Sequence, residues 1–146
     1  MIRPATLADL DAIAGLRSAL WPGESAEALR AEAEASLASG DARLATLVAV
    51  EGGEAVGFAE VSLRTDYVNG CETCPVAFLE GIHVRPEWRR RAIGRALVEA
   101  AAQWGRDRGC RELASDALLD NAASLRFHGA AGFEETERVV CFRKRL

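Results

Sequence analysis

The stretch from Val76 to Trp104 constrains this chain more than any other. It opens with an extended run, Val76-Ala77-Phe78-Leu79-Glu80-Gly81-Ile82-His83-Val84, turns at Arg85-Pro86 and passes through Arg89-Arg90-Arg91. Ile93, Leu97, Ala101 and Trp104 then recur at helical spacing until Gly105 and Gly109. A strand-period segment joined to a helix-period segment by a short turn demands a sheet with a helix packed on its face. Period two puts Val76, Phe78, Glu80, Ile82 and Val84 on one face of the strand, with Glu80 the one carboxylate among them.

The flanking sequence extends this pattern. Ile2-Arg3 reads as a short strand, and Thr6-x-x-Asp9 as a capping signal before Leu7, Leu10, Ile13, Leu16 and Leu20 at helical spacing. Trp21-Pro22-Gly23 ends that helix, and Ser25 caps a second with Leu29, Ala33 and Leu37 as its stripe, ending at Gly40. The apolar run Leu44 to Val50, the pair Gly52-Gly53 and the run Val56 to Leu63 form a hairpin. Thr65 to Pro75 is a polar loop. After the central helix come a strand from Glu112 to Ser115 and a helix capped by Asp120 or Asn121 and reaching Ala131. Gly132-Phe133 leads into extended stretches around Val139 to Arg143. The expected class is α/β, a mixed sheet with helices on its faces, in a single domain covering residues 1–146.

A net charge of -4 argues against a broad nucleic-acid surface, and no run has the length of a membrane span. The opening MIRPATLADLDAI lacks the apolar core of a secretory signal, which points to a cytoplasmic protein. Cys71-Glu72-Thr73-Cys74 is a C-x-x-C without the second pair or histidines that a zinc site needs, so no metal is expected and free thiols are.

Two groups of residues can carry chemistry. The first is the basic turn from Val84 to Ala96. A helix start exposes N–H groups without intrahelical partners and favours negative charge, so a pyrophosphate suits it, with Ala92 and Gly94 allowing close approach and the arginines adding charge-assisted hydrogen bonds. By itself a three-arginine run is more often a solvated surface turn, or a weak nucleic-acid patch, than a cofactor site. In its strand-turn-helix setting, Arg89-Arg90-Arg91-Ala92-Ile93-Gly94 resembles the R/Q-x-x-G-x-G/A loop of the GCN5-related N-acetyltransferases, with Ala92 where glycine is usual. The resemblance spans nearly the whole chain. It implies a mixed, mostly antiparallel sheet with helices on both faces and a parallel pair of strands at the cofactor site. It implies acetyl-coenzyme A as donor, its pantetheine arm along Ile82, His83 and Val84, and its pyrophosphate at Arg89, Arg90, Arg91, Ala92, Ile93, Gly94 and Arg95. Asn121 matches the family's cofactor-contacting asparagine and reads equally as a plain helix cap.

The second group is acidic, Glu80 and Asp116, both near the carboxyl ends of strands where open α/β sheets bind ligands. A structural ion pair with an arginine is the alternative for each. The segments Leu20-Trp21-Pro22, Asp66-Tyr67-Val68-Asn69-Gly70, Phe78 to Ile82, Ala114-Ser115-Asp116 and Gly132 to Arg138 further resemble the aminoglycoside 6′-N-acetyltransferases. That resemblance implies substrate contacts at Trp21, Tyr67, Glu80, Asp116 and Glu137, a set of carboxylates and aromatic faces suited to a polycationic sugar. It also implies a homodimer. Glu80, with Asp116, is the candidate base for the substrate ammonium, and the N–H of His83 or Val84 the candidate polariser of the thioester carbonyl. His128 stands where many relatives carry a tyrosine that protonates the leaving sulfur, making it the candidate acid. Another acceptor amine, such as a protein N-terminus or polyamine, or a non-catalytic coenzyme A-binding module, are the competing readings.

Overall fold

The computed structural model describes residues 1–146. In chain order it contains β1 (Ile2–Pro4), α1 (Leu10–Leu20), α2 (Ala26–Ser39), β2 (Leu44–Glu51), β3 (Glu54–Arg64), β4 (Val76–Val84), α3 (Ile93–Arg106), β5 (Leu113–Ala114) and α4 (Ala122–Ala130). One 3-10 turn, Leu7–Asp9, precedes α1 and another, Pro86–Trp88, follows β4. The strands lie in the order β1-β2-β3-β4-β5, antiparallel except for the parallel pair β4 and β5.

Local chemistry accounts for most boundaries. Thr6 donates its N–H to Asp9 Oδ2 at 2.8 Å, completing the predicted cap, and Arg3 clamps the same carboxylate with two bonds of 2.8 Å. Ser25 Oγ accepts from Ala28 N at 3.2 Å to start α2. Gly52 and Gly53 both have positive φ, the conformation of the two-residue turn that joins β2 to β3.

The sheet is covered on both faces. Ile13 and Leu16 of α1 and Ala33 of α2 pack on Val48 and Phe58. On the other face Ile93, Leu97, Val98 and Ala101 of α3 pack on Leu47, Ala49, Val56, Ala59, Val61, Ala77 and Leu79. Leu97 and Phe58 are both fully buried, each removing enough apolar surface from water to contribute roughly 2 kcal/mol.

β4 departs from the simple alternation. Glu60 pairs with Gly81 and Val61 with Leu79, so Glu80 is an extra residue in the ladder, a β-bulge. Before the bulge Ala77 and Leu79 face α3, while Val76 and Phe78 cluster with Val68 and Ala114 on the opposite side. After it Ile82 and Val84 face α3. The expected single face Val76-Phe78-Glu80-Ile82-Val84 is therefore divided, because one inserted residue restarts the count of two.

The predicted extended stretches around Val139 to Arg143 also differ: no strand follows α4. Val139, Val140 and Phe142 are 55%, 78% and 91% exposed. A strand requires a neighbour to complete its ladder, and residues 134–146 have none within the chain. No helix is long and apolar enough to cross a membrane.

Candidate active site

β5 pairs with β4 only at Ala77 and Phe78, so beyond Phe78 the outer edge of β4 has no partner strand. Arg85 donates its N–H to Val56 O on the β3 side at 2.9 Å. Alternation then turns the peptide groups of His83 toward β3 and those of Ile82 and Val84 toward the open edge. This corrects the expectation for His83, whose backbone is committed to the sheet. Its ring shares a face with Phe58 across the ladder, and burial, aided by the charge of Arg89, holds its pKa below the ordinary histidine value.

The turn after β4 is built for an anion by its backbone. Arg90 and Ala92 have φ of 62° and 60°, left-handed conformations that cost a residue with a Cβ roughly 1–2 kcal/mol. Strain of this kind persists at ligand clamps. Ala92, at the position where the family pattern has glycine, thus adopts a conformation that glycine takes without strain. The first helical bond of α3 runs from Ala96 N to Ala92 O at 2.9 Å, and no side chain caps that end. The N–H groups of Ile93, Gly94 and Arg95 consequently lack intrahelical acceptors at the positive pole of the helix. Arg89, Arg90 and Arg91 are exposed around this end. Arg89 Nε also ties back to Val84 O at 3.0 Å, and Arg91 lies over the Trp88 ring at 4.7 Å. An open strand edge leading to open helix N–H groups fits an extended pantetheine followed by a pyrophosphate.

Two residues assigned to the pyrophosphate act differently. A Cβ on Gly94 would meet Phe127 Cε2 at 2.9 Å, so its missing side chain serves the contact between α3 and α4, and only its N–H faces the anion site. Arg95 Nη2 donates to Ala130 O at 2.9 Å, bracing the end of α4. Asn121 caps α4 by accepting from Ser124 N at 3.1 Å, which leaves its amide nitrogen free to donate. On the same helix His128 Nδ1 lies 2.7 Å from Ser124 O, and its Nε2 lies 2.7 Å from Ser115 Oγ. A carbonyl only accepts, so Nδ1 carries a proton, while Nε2 shares a hydrogen bond with the Ser115 hydroxyl. His128 therefore reaches outward only by way of Ser115, a residue the sequence reading passed over although it adjoins Asp116.

The acidic side is assembled from distant segments. Trp21 follows α1 and lies on Gly81, where a Cβ would come within 2.9 Å of the indole; its edge meets Phe58 with centroids 6.4 Å apart. Beneath it Arg17, 7% exposed, bonds Glu32 at 2.8 Å and pairs with Glu60. Burial raises the pKa of Glu60 despite that neighbour. Tyr67 is 78% exposed on the loop between β3 and β4. That loop is anchored by the buried Val68 and by Glu112 Oε1, which accepts from Glu72 N at 2.9 Å and Thr73 N at 2.7 Å. Gly70 of the loop abuts Thr136 and Glu137. Cys71 and Cys74 in the loop are free thiols, and burial together with Glu112 pushes the Cys71 thiol up. Asp116 is exposed just beyond β5.

Glu80 stands at the bulge with its carboxylate partly exposed. Ser62 Oγ donates to its Oε1 at 2.5 Å, and Arg64 Nη2 lies 2.9 Å from Oε1 and 3.1 Å from Oε2. Ser62 and Arg64 were absent from the expected site. The alternation of β3 places both on the face that Glu80 overhangs, but the bulge that brings Glu80 to them cannot be seen in a pattern count.

Comparisons with known proteins agree with this geometry. Residues 10–133 match the Acetyltransferase (GNAT) family. The chain is 47% identical over 144 residues to aminoglycoside N(6′)-acetyltransferase type 1 of Salmonella typhimurium, covering 99% of this chain and 98% of the relative. It is 51% identical over 145 residues to the protein of the same name from Stenotrophomonas maltophilia, covering 99% and 93%. Among solved structures, AAC(6′)-Iy in complex with the bisubstrate analog CoA-S-monomethyl-acetylneamine superposes with a TM-score of 0.93 at 46% identity, covering 100% of this chain and 98% of that one. With an open β4 edge, an uncapped α3 and similarity over its full length, the chain belongs to the GNAT acetyltransferases, in the branch of the aminoglycoside N(6′)-acetyltransferases.

Proposed function

We propose that this protein transfers the acetyl group of acetyl-coenzyme A to the 6′-amine of aminoglycosides by direct attack of the amine on the thioester. The observation that carries the reading is on β4: the bulge carboxylate Glu80 stands two residues before Ile82, whose peptide group faces the open edge. One strand thus offers a proton acceptor for the amine and a donor for the carbonyl. Acetyl-coenzyme A supplies an acyl group activated as a thioester. Its arm lies along Ile82 and Val84, and its pyrophosphate on the N–H groups of Ile93, Gly94 and Arg95 with Arg89, Arg90 and Arg91 around it. The Asn121 amide holds the arm from the α4 side.

Trp21, Tyr67, Asp116 and Glu137 orient the cationic sugar, and Glu80, through a water, takes the proton that must leave the 6′-ammonium before its lone pair can attack. The N–H of Ile82 or Val84 stabilises the charge developing on the carbonyl oxygen. As the carbon–sulfur bond breaks, the nitrogen sheds its remaining extra proton to water, and Ser115, held by His128 whose Nδ1–H stays on Ser124 O, gives its proton to the sulfur and is reprotonated from water. The protein works in the cytoplasm without nucleic acid or membrane. It works as a homodimer: the exposed Val139, Val140 and Phe142, in a tail whose peptide groups lack a ladder, suit strand pairing with a second copy.

The test is thiol release from acetyl-coenzyme A with aminoglycoside pairs that differ only in a 6′-amine or 6′-hydroxyl. Release confined to the amine members is expected. Equal release from both members, or release only with peptides, would overturn the assignment.

A further inference from the structure

An alkylammonium group is best held by a carboxylate beside an aromatic face. Both features meet at the junction of β3 and β4, and a cation of the protein already occupies them. The Arg64 guanidinium spans both oxygens of Glu80 and its carbon Cζ lies 3.5 Å from the centroid of the Phe78 ring. Phe78 is left only 6% exposed. Ser62 holds the carboxylate from the other side.

We infer that Arg64 is a built-in occupant of the acceptor's ammonium seat, so that binding of a cationic amine is an exchange of cations on Glu80. This rests on the proposed role of Glu80 toward the acceptor. An ionised carboxylate offers about four lone-pair directions. Ser62 donates to Oε1 and Arg64 makes three contacts, from Nε and Nη2 to Oε1 and from Nη2 to Oε2, which crowds Oε1 and leaves an incoming ammonium one free direction on Oε2. Two cations on one carboxylate also repel each other. Departure of Arg64 strands no charge, since its side chain is 42% exposed and that of Glu80 37%. Arg64 is the last residue of β3, where the strand gives way to the loop that carries Tyr67, so its long side chain can swing into water from a fixed backbone. The vacated Phe78 face then receives the incoming cation. A neutral hydroxyl cannot displace a guanidinium from a carboxylate, so the exchange selects charged acceptors over isosteric uncharged ones.

The test uses Arg64→Met, which keeps the apolar stem over Phe78 and removes the charge, with Arg64→Lys as a charged variant that loses the two-pronged contact. Calorimetry on the full-length protein measures Kd for an aminoglycoside bearing a 6′-amine and, separately, for acetyl-coenzyme A. Arg64→Met is expected to tighten acceptor binding by roughly tenfold, Arg64→Lys by less, with coenzyme affinity retained. Unchanged or weaker acceptor binding in Arg64→Met with coenzyme affinity intact overturns the exchange. If Arg64→Met does not fold, Arg64→Lys decides alone: tighter binding supports the exchange and equal or weaker binding overturns it. Glu80→Gln separates the two readings. If it leaves acceptor Kd unchanged, the seat itself is wrong; if it weakens binding while the Arg64 variants do nothing, only the exchange fails.

Discussion

The proposed donor and acceptor halves of this site are built from different materials. The donor half is the contiguous stretch from Ile82 to Arg95, and its working groups are mostly peptide N–H groups set by strand alternation, two left-handed residues and an uncapped helix. The proposed acceptor half is a set of side chains from the residue after α1, the β3–β4 loop, the β4 bulge, the residue after β5 and the segment after α4. Backbone groups tolerate changes of side chain, whereas a constellation of side chains is lost one residue at a time. A family can therefore keep one donor while changing acceptors.

The largest break between the halves is expected from Glu80→Gln. Removing a general base lowers turnover by about 10²- to 10⁴-fold. The coenzyme Kd should hold, because no peptide group of the open edge is altered; a parallel loss of coenzyme affinity would mean that the two halves are not separable. Glycine-to-alanine changes come next and should divide by side. Gly94→Ala forces a methyl onto Phe127 and Gly81→Ala forces one onto Trp21, each at 2.9 Å. Each should cost roughly 1–3 kcal/mol in urea unfolding. Steady-state kinetics should show a higher KM for acetyl-coenzyme A in the first and for the acceptor in the second.

A smaller effect sharpens the account of the donor turn. Ala92→Gly removes the Cβ from a left-handed position and should stabilise the folded state by about 1 kcal/mol, read from the urea midpoint. The smallest effect belongs to a control outside both halves. The Arg3 guanidinium, with the Thr6 N–H, holds Asp9 at a pKa of about 2, below its ordinary 3.8. That contribution is fully present above pH 3.8 and is lost as pH falls through about 2. Asp9→Asn should lower the neutral-pH melting temperature, converge with the parent near pH 2, and leave both ligand affinities alone.

How much of this was legible in advance follows the same division. The Thr6 and Ser25 caps, the Gly52-Gly53 hairpin and the α3 stripe are local signals, and the structure has them where they were read. The turn between β4 and α3 was legible for the same reason. His83, Gly94 and Arg95 were misjudged in part because a motif marks a position without saying which way its peptide or side chain points. Arg64 and Ser115 were missed because their partners, Glu80 and His128, lie 16 and 13 residues away. The late strand failed because a strand is a property of a pair.

The amino-acid sequence by itself determined the α/β class, the succession of elements and the basic turn between β4 and α3, since these rest on periodicity, capping and turn chemistry acting within a few residues. Only the tertiary structure decided that Glu80 sits on a bulge, that β4 has an open edge presenting Ile82 and Val84, and that Ser62 and Arg64 hold the Glu80 carboxylate. Each depends on which strand lies beside which and in what register, and register is set by packing across the whole sheet.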